Sequence, residues 1–176
     1  MKTNYFFCLL TFLLLTSFCL DAQEVQNTKL FKYQGEVDLG ASAGFDDETF
    51  NLSLDIVNGI RFSRHFYAGM GLGLARSFSD EGVLVPIYGT LKGYFPVKNR
   101  LDFTAGLDLG TKLDYSYGMS GGILVRPEYG LNFPMKGKVG MRLTLFYEYY
   151  SCNYQYMEIE TREKTNQIGL KFGVSF

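Results

Sequence analysis

The chain contains one histidine, no tryptophan, three cysteines and four prolines in 176 residues. A single histidine removes most histidine-based catalysis and most histidine metal sites. Two of the cysteines, Cys8 and Cys19, fall in a leading apolar run, so Cys152 is alone beyond it and no intrachain disulfide forms after that run is removed. There is no charge excess: 17 Lys+Arg against 18 Asp+Glu give a net charge of −1. A nucleic-acid binder normally carries a basic surplus, so no nucleic-acid partner is expected. After Ala22 no apolar run reaches the ~18 residues of a membrane-spanning helix. What is present is 47% hydrophobic and 16% aromatic residues, too many for a disordered chain. The 20 Gly, 13 Tyr and 16 Phe rise together, as they do in β-rich architectures.

Lys2 is followed by an apolar run from Tyr5 to Leu20, ended by Asp21-Ala22-Gln23. At about 16 residues it is short for a spanning helix, which needs roughly 20. It reads as a secretory signal peptide over residues 1–22, cleaved after Ala22. A lipoprotein signal at Cys19 is disfavoured by the bulky Phe18 before it. Residues 23–32 read as a short periplasmic tail, and 33–176 as one domain.

That domain alternates with period 2, the mark of strands with two different faces. Eight apolar parities follow one another. They are Val37 to Phe45, Phe50 to Ile56, Phe66 to Leu74 and Val85 to Leu91, then Leu101 to Leu109, Ile123 to Phe133, Val139 to Tyr147 and Ile168 to Phe176. Most segments run for about 9–12 residues, against roughly 5–6 in ordinary strands and about 9–11 in a tilted strand crossing a bilayer. Pro86 and Pro127 lie inside segments, where bulges or strand ends are expected.

The intervening parity is small and polar, and it carries both signs of charge. Its acids are Glu36, Asp38, Asp55, Asp102, Asp108, Glu128 and Glu148; its bases are Arg61, Lys92, Arg126, Arg142 and Lys171. Turned inward, this set pairs and fills a narrow lumen. Turned outward, Lys92, Arg126, Arg142 and Lys171 would face lipid at ~2–4 kcal/mol each. The apolar parity is free of charge, and aromatics gather near its ends (Phe45, Phe50, Phe62, Phe66, Phe95, Phe133, Tyr147, Tyr149 and Phe176), like interfacial girdles. A soluble lipocalin-like carrier, the reverse arrangement, would be expected to show a tryptophan near its first strand. The reading is an all-β fold: an eight-stranded antiparallel up-and-down transmembrane β-barrel.

Connections alternate in length and charge. The short set carries Arg64, Lys98, Arg100, Lys136 and Lys138. The other set, at Asp46–Thr49, Ser79–Gly82, Leu113–Ser120 and Tyr150–Thr165, is acidic. Basic turns are therefore assigned to the periplasmic end and acidic loops to the outside.

Three stretches carry a resemblance. One runs from Val57-Asn58-Gly59-Ile60-Arg61-Phe62 to Ala68-Gly69-Met70-Gly71-Leu72-Gly73. The others are Val85-Pro86-Ile87-Tyr88 to Gly93-Tyr94-Phe95, and the final Ile168 to Phe176. In these the chain resembles the outer-membrane β-barrel domain proteins of Gram-negative bacteria, the "porin family" barrels of Bacteroidota type. The resemblance implies a place in the outer membrane among lipid and lipopolysaccharide. It also implies that the barrel-insertion machinery reads the terminal strand ending in an aromatic. It implies no open pore.

Other motifs weigh less. Gly69-x-Gly71-x-Gly73 continues an alternating strand and lacks the strand-turn-helix setting of a nucleotide loop. His65 falls in a basic-end turn, away from where a lipid-modifying barrel enzyme would need its His, Ser and acid. Asp46-Asp47-Glu48 and Asp80-Glu81 read as solvated acids rather than a cation site. Tyr115, Tyr117, Tyr154 and Tyr156 are the candidate surface-binding residues, for a protein or glycan, since tyrosine is enriched at recognition surfaces. No catalytic residue, metal or cofactor is expected. The leading expectation is a non-enzymatic structural or surface-interaction protein working through its loops, above all Tyr150–Thr165. A narrow-pore solute or ion channel is the alternative, ahead of a barrel enzyme or a soluble carrier.

Overall fold

The structure, a computed structural model, describes residues 31–176 apart from 46–48, 63, 80–81, 99–100, 116–119, 136–138 and 157–158. The side chains of 98, 120 and 152–163 are also outside the description. The expected signal peptide and most of the tail, residues 1–30, lie outside the described residues.

Eight strands are present: β1 (Phe31–Gly44), β2 (Phe50–Phe62), β3 (Phe66–Ser77), β4 (Val83–Lys98), β5 (Leu101–Asp114), β6 (Ser120–Pro134), β7 (Gly140–Tyr156) and β8 (Ile159–Ser175). Each pairs antiparallel with its chain neighbour, and β1 pairs with β8 to close the barrel. At the seam Gly35 N–H donates to Phe176 O at 2.8 Å and Phe176 N–H donates back to Gly35 O at 2.9 Å. Closure leaves no sheet edge within the wall, which lipid requires.

Burial follows the alternation. On β7, Met141, Leu143, Leu145 and Tyr147 are exposed, while Arg142, Thr144, Phe146 and Glu148 are buried between them. The same inversion of a soluble core runs round the barrel: Leu39, Met70, Leu91, Ile123 and Leu170 stand outside, and charged residues stand inside. This is a surface built for lipid. Aromatic contacts sit near both ends of it. Phe31 meets Phe62 edge-on at 5.3 Å near the basic end, and Phe50 and Phe78 lie 5.9 Å apart near the other.

Three expectations need correction. First, β1 includes Phe31 and Lys32, which the sequence pattern places in the tail; they pair with Phe62 and Arg61. Second, neither Pro86 nor Pro127 makes a bulge. The β3–β4 ladder has no pairs between Leu72↔Ile87 and Ala75↔Leu84, and β6–β7 none between Val125↔Tyr149 and Glu128↔Phe146, but register is the same on both sides of each gap. A proline lacks one donor, so it removes ladder bonds toward one neighbour without displacing the strand. The register shift falls instead between Pro96 and Lys98. Third, within the expected loop Tyr150–Thr165, residues 150–156 and 159–165 are strand. β7 and β8 remain paired out to Tyr156↔Ile159, beyond the last β6 pair at Cys152 and the last β1 pair at Gln167. There the ladder bonds run only between β7 and β8, and Tyr154 and Tyr156 lie on a strand.

Glycine has a packing role inside. Gly59 and Gly69 are ladder partners, and the Tyr67 ring lies across both. A Cβ on Gly59 would come within 2.7 Å of Tyr67 Cζ, and one on Gly69 within 2.8 Å of its hydroxyl. Tyr88 lies over Gly71 in the same way, and Phe146 over Gly169. In a barrel this narrow, a large inward ring requires an absent side chain beside it.

Candidate functional site

The residues assigned to the lumen come from seven of the eight strands, all but β3, and form stacked tiers. At the basic end, Arg61 lies over the Tyr94 ring at 4.1 Å, and its Nη2 is 3.9 Å from Asp102 Oδ2. Arg61 is half-buried, whereas Asp102 is buried. Asn132 Nδ2 points to the same carboxylate at 3.5 Å. Gln34 Nε2 donates to Glu36 Oε1 at 2.9 Å and to Tyr94 OH at 2.8 Å.

The middle tier is denser. Glu36 is fully buried between Lys92, whose Nζ is 2.6 Å away, and Arg142. Lys92 also reaches Glu128 at 3.0 Å. Arg142 lies 3.8 Å from both Asp38 and Glu128. Lys171 bridges Asp55 at 3.4 Å and Glu128 at 4.0 Å. Above it, Arg126 Nε donates to Asp108 Oδ2 at 2.9 Å, with Glu148 at 3.4 Å and Asp55 at 3.7 Å from its other nitrogens. The Arg126 guanidinium also lies 4.4 Å from the Tyr88 ring centre.

Sequence reasoning missed Lys112. It is buried, and its Nζ lies 2.5 Å from Glu148 Oε1. One more step along the β5 parity that runs from Asp102 through Gly110 reaches it. Tyr67, Tyr88 and Tyr94 were also not assigned to the network. They lie on the same inward parity, so their period-2 position was the available signal.

These charges are buried along the middle of the lumen. Taking an ion pair out of water costs several kcal/mol per ion, offset only where each charge is met at close range. Two of the voids among the described residues touch the network. One of about 10 Å³ lies among Ser53, Pro86, Lys112, Arg126 and Glu148, room for one water at most. The other, of about 100 Å³, opens at the basic end beside Lys32, Arg61 and Asn132.

The surface candidates are less complete. Tyr115 is exposed at the end of β5. Tyr117, Asp46-Asp47-Glu48 and Asp80-Glu81 lie outside the described residues, as do the side chains of Tyr154 and Tyr156. His65 is exposed in the β2–β3 turn, where its carbonyl accepts Tyr94 N–H at 2.7 Å.

No family model matches the chain, and no curated protein sequence matches it. Solved structures do. Neisserial surface protein A superposes with a TM-score of 0.64 at 15% identity, covering 85% of this chain and 98% of that one. The outer membrane enzyme PagL gives 0.57 at 8% identity, covering 78% and 97%. The N-terminal β-barrel domain of Pseudomonas aeruginosa OprF gives 0.51 at 12% identity, covering 81% and 97%. At these identities the likeness is one of fold, and one of the three folds belongs to an enzyme.

Proposed function

We propose that this chain is an outer-membrane barrel of a Gram-negative bacterium, of the porin-family kind, that acts as a non-enzymatic structural or surface-interaction protein. The observation that carries this reading is the filled lumen: Arg126 and Arg142 are 2% and 1% exposed, and carboxylates surround both. A barrel whose axis is occupied by its own ion pairs does its work at its ends and on its lipid face. Exposed Tyr115 and the β7–β8 ribbon supply surface at the acidic end for a protein or glycan partner. Lipid and lipopolysaccharide are the expected surroundings of the apolar wall. The alternating β8, ending at Phe176, is the segment for the insertion machinery to read.

Planar-bilayer recording tests the reading. The purified barrel is expected to give no sustained channel events. Steady conductance that changes in Arg126→Ala or Arg142→Ala would favour the narrow-pore alternative. Cell fractionation with a boiled and unboiled gel tests location: a heat-dependent mobility shift in the outer-membrane fraction is expected. Hydrolysis of lipid A by the pure protein, lost in His65→Ala, would overturn the non-enzymatic part.

A further inference from the structure

Asn58 departs from the pattern of the wall. It lies on the lipid-facing parity of β2, where the other members between Phe50 and Phe62 are Leu52, Leu54, Ile56 and Ile60. Phe62 marks the basic-end girdle four residues away. At ~3.3 Å per residue and a strand tilt of roughly 40°, the amide stands about 10 Å inside that girdle, among acyl chains. Tyr33 OH donates to Asn58 Oδ1 at 2.6 Å. The Nδ2 has no acceptor among the described residues, and it is open to the surroundings rather than closed off. Acyl chains offer no acceptor, and an unmet polar group in hydrocarbon is costly. Side-chain amides in such positions hydrogen-bond across to neighbouring membrane-spanning segments.

The surroundings favour one partner. The ladder row through Asn58 reads Gly35, Asn58, Met70, Gly89. Met70, flanked by Asn58 and a glycine, is 71% exposed. A side-chain amide holds donors and an acceptor oxygen with a second lone pair. It is therefore its own complement, as a twofold contact between identical copies requires. In two such barrels side by side the facing strands cross at about 80°, twice their tilt. β2 of one copy then runs along the ladder row of the other. With the two Asn58 side chains at the crossing point, Met70 of each copy lies against Ile56 of the other. We propose that the barrel associates with a second copy of itself through this patch, in the plane of the membrane, each Asn58 Nδ2–H donating to Asn58 Oδ1 of the other copy. The patch carries no charge, so no ion is stripped of water when the walls meet. This association presupposes the lipid-facing wall of the proposed outer-membrane barrel and adds a partner to it.

The test is sedimentation equilibrium of the mature chain in density-matched detergent at several protein-to-detergent ratios. The heat-dependent gel shift confirms a folded barrel in each sample. The parent is expected to show a reversible monomer–dimer equilibrium. Asn58→Leu, which puts an apolar side chain on the lipid face, should keep the gel shift and weaken the dimer roughly tenfold. Leu143→Ala, on β7 and three strands from β2, should leave the dimer unchanged. In vesicles, Met70→Cys and Ile56→Cys copies, each also carrying Cys152→Ser, should be joined to each other by a short bis-maleimide. Leu143→Cys copies in the same background should not be joined. A folded parent that stays monomeric at every ratio overturns the proposal and leaves lipid as the amide's neighbour. So does an Asn58→Leu dimer as tight as the parent's, or an equal loss in Leu143→Ala, either of which would mean unspecific contact between apolar walls. Absence of the gel shift from the parent would instead overturn the barrel reading, and this association with it.

Discussion

Asp38 and Asp55 stand directly opposite each other in the β1–β2 ladder, and both are buried in the lumen. Like charges in that relation destabilise a sheet. The surroundings offset the two unequally. Asp55 receives Tyr88 OH at 3.2 Å and has Lys171 and Arg126 at 3.4 and 3.7 Å. Asp38 has Arg142 at 3.8 Å, and its Oδ1 lacks a hydrogen-bond partner. Among the described residues, the connected pairs join Glu36, Asp38, Asp55, Asp108, Glu128 and Glu148 to Lys92, Lys112, Arg126, Arg142 and Lys171, one acid more than bases. Asp38→Asn is therefore expected to hold or raise stability. Asp55→Asn should lower it by ~3 kcal/mol, the scale for breaking a buried pair. Urea unfolding midpoints in lipid vesicles measure both, and equal losses would refute the asymmetry.

Lys92 is the cation shared by Glu36 and Glu128. Lys92→Met leaves both carboxylates short of a partner and should cost ~3–5 kcal/mol. Adding Glu36→Gln to that variant should recover part of the loss. A double-mutant cycle on refolding yields reads the coupling; purely additive losses would mean that the pair does not act as one.

Gly71 is the seat of the Tyr88 ring. Gly71→Ala should cost ~1–3 kcal/mol, because a Cβ there forces the ring aside. In a Tyr88→Ala background the same change should cost far less. The unfolding midpoints of the four variants separate this contact from a general intolerance of alanine in β3.

Leu91 lies midway along β4 and is 64% exposed. Leu91→Arg places a charge on the lipid face and should destabilise the inserted barrel by ~2–4 kcal/mol. Its insertion into vesicles is expected to slow or fail, whereas Arg64→Leu in the β2–β3 turn should insert normally. Equal insertion by both would place the apolar face away from lipid.

Replacing residues 153–162 with a two-residue Asn-Gly turn should leave the barrel intact. Beyond Cys152 and Glu163 the ribbon pairs only with itself, and such turns suit antiparallel hairpins. A retained heat-dependent gel shift is the expected result; its loss would show that the ribbon supports the wall.

Much of this structure was legible from period 2 alone. The parity that holds Glu36, Asp38 and Asp55 on β1 and β2, or Arg142 and Glu148 on β7, needed no partner strand to be recognised. Reading failed where the pattern changes phase. On β7 the apolar parity runs through Met141, Leu143, Leu145 and Tyr147, and then shifts to Tyr150, Cys152, Tyr154 and Tyr156. That break reads as the start of a loop, although backbone pairing continues across it. A strand leaving lipid has no reason to keep an apolar outer face, so the side-chain code changes while the hydrogen-bonded ladder does not.

The sequence by itself determined the strands, their two faces and the sign of each face, because lipid and a narrow lumen impose opposite demands on alternate residues. It could not say which charges meet. Lys92 on β4 and Glu36 on β1 are 56 residues apart. Only closure of β1 onto β8 and the stagger of all eight strands bring such partners to one height in the lumen. The scarcity of histidine and cysteine left few reactive groups. Tertiary structure decided what stands in their place: ion pairs filling the axis.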